Sequence, residues 1–192
     1  GMGLFPAARP VIVIGSRPPA QKGSRHMSLI ELELERPGNP VDTIETFAAL
    51  NDWTFERSDE DEITISLEGS WCDYHVSFSW MEEVEALHLA CAFDLKVTEL
   101  RKTEVVRLLA LVNEQLWMGH FDLWNKENVV MFRQSLLLAG GAEASSAQIE
   151  GMLTNALENC ERFYQAFQFV VWAGHSAAEA LNTALFETAG EA

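Results

Sequence analysis

The chain has 192 residues, 48% of them hydrophobic and 22% charged, which excludes both a disordered and a fibrous protein and fits one domain or two very small ones. It carries 29 acidic residues against 13 basic ones, a net charge of −16, so a phosphate backbone or an anionic lipid surface is repelled and neither nucleic acid nor membrane is an expected partner. Three scattered cysteines (Cys72, Cys91, Cys160) give no disulfide framework or zinc spacing, and no apolar run reaches the roughly 18 residues of a membrane span.

Residues 1–26 differ from the rest. They hold Arg9, Arg17, Lys22 and Arg25, no acidic residue, and four of the six prolines. They read as a disordered basic arm, or as a leader left by cleavage or a mis-assigned start, with Met27 as the alternative first residue. A single domain is expected over 27–188 and a short tail over 189–192. Inside the domain, Pro37-Gly38-Asn39-Pro40 is a turn cluster. Val41, Ile44, Phe47, Ala48 and Leu50 then follow helical spacing, with a cap at Asp42 or the residue before it.

From Trp53 the period changes to two. Trp53 and Phe55, then Ile63, Ile65 and Leu67, then Tyr74, Val76, Phe78 and Trp80, then Leu87, Leu89, Cys91 and Phe93 alternate with polar or small residues. Short polar turns separate them, which predicts a four-stranded antiparallel meander with one buried face. A long helix is expected over 98–118, capped by Thr98 and ending before Gly119. Phe121 and Leu123, the turn Lys126-Glu127-Asn128 and a strand over 129–138 form a hairpin. A last long helix starts near Ser145 or Ser146, carries Ile149, Met152, Leu153, Ala156, Leu157, Cys160, Phe163, Tyr164 and Phe167 on one broad face and runs through Trp172. A weaker one covers 177–186.

Leu111-Val112-Asn113-Glu114-Gln115-Leu116, followed by Gly119-His120-Phe121-Asp122-Leu123 and by the run Val130-Met131-Phe132-Arg133-Gln134-Ser135-Leu136-Leu137-Leu138, resembles the YbjN family, described as bacterial sensory transduction regulators. The element order over residues 28–172 is similar to theirs, and their fold is similar to that of type III secretion chaperones. The resemblance implies an α+β domain, an antiparallel sheet with helices packed on one side, and recognition of another protein. It brings no catalytic signature. Asn113 reads as a structural residue bonding a nearby carbonyl or turn.

The residues themselves offer little reactive chemistry. Asp73 and His75 share a strand face, a possible general-base pair by spacing, yet no nucleophile or third ligand accompanies them, and a solvated pair is the expected state. Gly140-Gly141 lacks the strand–helix context of a phosphate loop. The carboxylates of 59–62 and of Glu82-Glu83 lie in polar turns, which do not desolvate an acid. No enzyme, cofactor or metal is therefore expected.

Six Trp, eleven Phe and two Tyr exceed what one small core needs, and Trp is enriched at interfaces. Trp71, Trp80, Trp117, Phe121 and Trp124 are the candidate partner-binding residues. A homodimer built through the sheet and the central helix, an unknown protein partner and a cytoplasmic location are expected. The other reading is a small-molecule sensor with an apolar pocket between the sheet and the last long helix, near Phe163, Tyr164 and Phe167.

Overall fold

The computed structural model describes residues 38–189; the basic arm 1–26 and most of the tail lie outside them. Six strands form one antiparallel sheet in the order β1-β2-β3-β4-β6-β5: β1 (Thr54–Asp59), β2 (Glu62–Leu67), β3 (Tyr74–Met81), β4 (Ala86–Lys96), β5 (His120–Trp124) and β6 (Val129–Leu137). The first four are a meander. The β5–β6 hairpin then returns so that β6 pairs with β4 and β5 becomes the edge. This is the α+β layout that the alternation and the resemblance lead one to expect.

Register explains which side chains are buried. Ile65 stands opposite Val76, Val76 opposite Cys91, Cys91 opposite Phe132 and Phe132 opposite Phe121, a row crossing five strands on one face. All five are at most 2% exposed. Because side chains alternate along a strand, every second residue on either side of this row joins it. Helix α3 (Ser146–Gln168) packs on β4 and β6, while α1 (Pro40–Leu50) covers β1 to β3. Helix α2 (Lys102–Asn113) lies against β5 and α3.

Local chemistry sets the helix ends. The cap of α1 is Asn39, whose side chain accepts from the Val41 amide at 2.9 Å with Pro40 as first helical residue; Asp42 instead turns outward to Arg57 at 2.7 Å. Ser145 and Gln148 form a reciprocal capping box on α3, each accepting from the other's backbone amide. Such a cap is worth about 1 kcal/mol. The helix expected over 98–118 is shorter at both ends. Thr98 sits in a preceding turn where its carbonyl accepts from Arg101 and Lys102, and past Asn113 the backbone tightens into i−3 turns, Gln115 onto Val112 and Leu116 onto Asn113.

After α3 a π-turn segment, Phe169–Ala173, closes on Gly174 at φ 75°. Helix α4 (Ala177–Ala189) folds back on α2 and α3. Glu104 of α2 accepts from the Ala177 amide at 3.0 Å, and that bond, with Arg107 beside it, holds the Glu104 carboxyl below the usual carboxylate range. No described helix is long and apolar enough to cross a membrane.

Candidate partner-binding surface

The core behind the sheet is an aromatic cluster. Phe93 and Phe121 sit at its centre, with Phe121 edge-on to Phe132 at 5.3 Å and to Phe163 at 5.9 Å, and Phe93 edge-on to Tyr164 at 5.0 Å and to Phe167 at 5.8 Å. The space named for a small-molecule pocket is thus occupied by Phe163, Tyr164 and Phe167 themselves, all buried against the sheet. The three cysteines, distant in sequence, converge here and are free. Burial pushes the Cys160 thiol up, reinforced by its contact with Cys91, and burial likewise raises Cys72. Raised thiols are protonated and unreactive.

The five aromatic candidates separate. Trp80 and Phe121 are core residues, 9% and 2% exposed, because each lies on the buried phase of its strand; they present no surface to a partner. Trp71 is tied down, its indole N–H donating to the Glu161 carbonyl at 3.1 Å. Trp124 ends β5 on the face away from the helices, half-buried. Trp117 is fully exposed, in the turn between α2 and β5.

That turn is built around Asn113. Its side chain accepts from the Phe121 amide at 2.8 Å and donates to the Phe121 carbonyl at 2.9 Å, so one amide group pairs both backbone groups of the residue at the core's centre. Gly119 makes the turn possible: it sits at φ 72°, and a Cβ there would run into the Phe132 ring and the Arg133 carbonyl. Asn155 of α3 bonds Met118 O at 3.3 Å and Gln134 Oε1 at 2.8 Å, which fixes the turn beside β6.

The hairpin arms are unequal. β5 begins at His120, opposite Arg133, while β6 continues to Leu137 with β4 as its neighbour. Residues 134–137 therefore have no strand on their second side among the described residues. Exposed apolar side chains lie at this end: Leu137 at 69%, with Met81 and Val84 on the adjoining hairpin, while Met118 at 58% lines the cleft beside β6 and the exposed Trp117 precedes it in the turn. Met81 stands opposite Ala86 and Ala86 opposite Leu137, so the two patches are continuous across the sheet end.

The face away from the helices is lined by small polar and basic side chains. His75 bonds Ser66 across the strands at 2.9 Å, with Asp73 lying just before β3; the two do not form a catalytic pair. Ser77 and Thr64 bond each other at 2.8 Å. Arg133 donates to His88 Nε2 and to Asp122 Oδ2, both at 3.2 Å. Among the described residues no group of three or more His, Cys, Asp and Glu is placed to hold a metal ion.

The sheet is braced by an aromatic core on one face and left half-open at the edge beyond β5. The sequence matches the YbjN family, "Putative bacterial sensory transduction regulator", over residues 40–169, and the chain belongs to that family. No curated protein matches it. Similar solved structures include YbjN from E. coli, titled "a putative transcription regulator", at 11% identity and TM-score 0.48, covering 72% of this chain and 92% of that one. The HopA1–SchA chaperone–effector complex follows at 14% identity and TM-score 0.46, covering 62% and 88%. The ExsC–ExsE complex stands at 18% and 0.45, covering 67% and 94%.

Proposed function

We propose that this protein is a non-enzymatic, chaperone-like regulator that acts by binding other polypeptides, in the cytoplasm, and that it self-associates as a homodimer. The observation that carries this reading is Trp117: a fully exposed tryptophan next to Met118 in the turn that leads into β5, the strand whose start leaves the far end of β6 open. A large aromatic held in water contributes nothing to the fold, whereas at an interface it is a typical energetic anchor. The unpaired strand edge adds backbone donors and acceptors to which an extended segment can pair. Membership of a family described as regulatory supports the same reading.

Trp117→Ala combined with Leu137→Ser tests it. Both side chains are exposed, so the melting temperature of the double variant stays within a few degrees of the wild type. Light scattering at micromolar concentration is expected to give a dimer for the full chain and a monomer for the variant. A monomeric wild type overturns the homodimer, and a variant that still dimerises removes Trp117 from the interface.

A further inference from the structure

A cleft of about 500 Å³ opens where β5 stops short of β6, and its walls are of two kinds. His88, His120, Arg133 and Ser135 form a polar side, and Met118 and Leu136 lie on the apolar one. We propose that this cleft binds a small organic acid with a single carboxylate, held by Arg133 and His120, with its hydrocarbon part against Met118 and Leu136. The cleft lies along the same stretch of β6 that the protein-binding reading uses, but the inference is carried by the Arg133–His120 pair and not by that reading.

Arg133 and His120 are a directly opposed cross-strand pair, so their side chains rise together from the same face. The guanidinium is already oriented: Nε donates to His88 and Nη1 to Asp122, and neither bond uses Nη2. A fixed fork loses little freedom on gaining an oxyanion, and Arg–carboxylate bonds are among the stronger hydrogen bonds available to a protein. Ser135, next to His88 in register, brings a hydroxyl to the same wall.

His88 is pushed down to about 4, first by burial and then by its neighbours Arg133 and His120, so it stands as a neutral acceptor beside the guanidinium. Among the described residues, Asp122 is the carboxylate bonded to the guanidinium. It would repel a doubly charged phosphate more strongly than a monoanion, and the apolar wall gives a hydrocarbon tail a place to lose water. The volume falls in the range usual for small-ligand sites, about 300–1,000 Å³.

Hexanoate is the probe, with hexanol and hexylamine as uncharged and cationic counterparts, titrated into the full chain at neutral pH and followed by calorimetry and by the His88 and His120 ring signals in NMR spectra. Saturable binding of hexanoate alone, moving both rings, is expected. Arg133→Gln should weaken it about tenfold or more, the loss of one charge-assisted bond. If Arg133→Gln fails to fold, His120→Ala, altered at an exposed position, carries the same expectation of weaker binding. No saturable binding, equal binding of hexanol, or an affinity unchanged in the folded variant overturns the proposal.

Discussion

Replacing Phe121 by Ala lowers the stability of the protein by about 3–5 kcal/mol, the cost of emptying a large aromatic from a packed core. Phe121 is 2% exposed and its ring meets Phe93, Phe132, Phe163 and Phe167 at centroid distances from 5.3 to 5.9 Å. These neighbours come from β4, β6 and α3, so the cavity is shared by elements that cannot all move inward together. Urea unfolding reports the loss as a lower midpoint with an unchanged slope. Trp117→Ala, measured beside it, should shift stability by less than about 0.5 kcal/mol. Equal losses in the two variants would mean that Phe121 is not at the centre of the core.

Asn113→Ala costs about 2–4 kcal/mol, for a different reason. The side chain pairs with both the amide and the carbonyl of Phe121, and alanine leaves both without that partner. Each unpaired buried group costs about 1–3 kcal/mol, part of which a penetrating water recovers. Asn113→Asp keeps the acceptor and loses the donor, so it should fall between wild type and alanine. Hydrogen exchange at the Phe121 amide is the direct readout: protection falls sharply in the alanine variant and is partly kept in the aspartate one. An amide as protected as in the wild type would show that the bond is not what holds the turn.

The sheet was legible because period-two alternation is a strong signal wherever one face is buried, as along Tyr74, Val76, Phe78 and Trp80. The same phase argument places Trp80 and Phe121 inside. Counting aromatics drew them toward the surface, and composition says nothing about which copy of a residue is spared from the core. Helix ends were less legible. A spacing rule carries the central helix on to Met118, whereas its backbone tightens into i−3 turns after Asn113, whose side chain is bonded to Phe121 eight residues away. Spacing puts the cap of α1 at Asp42 or the residue before it, whereas Asn39 caps it and Pro40 after it marks the first helical turn.

The cleft beside β6 had no signature in the sequence. It exists because β5 is five residues long and β6 nine, a mismatch that appears only once the register His120–Arg133 is known. The convergence of Cys72, Cys91 and Cys160 was equally hidden, since it joins a loop, a strand and a helix. Trp117 is among the residues that the aromatic count points to. What the sequence could not supply was its exposure, since its neighbour Leu116 packs against the core and spacing alone does not tell the two apart.

The central claim is that the end of the sheet around Trp117 and Leu137 is where this protein meets another polypeptide. A photo-crosslinking amino acid placed at position 117, at 137 and, as a control, at the exposed Glu150 of α3 addresses it in the native host. Discrete cross-linked products from 117 and 137, with none from 150, are predicted. Products from 150 alone, or the same products from all three positions, would contradict it.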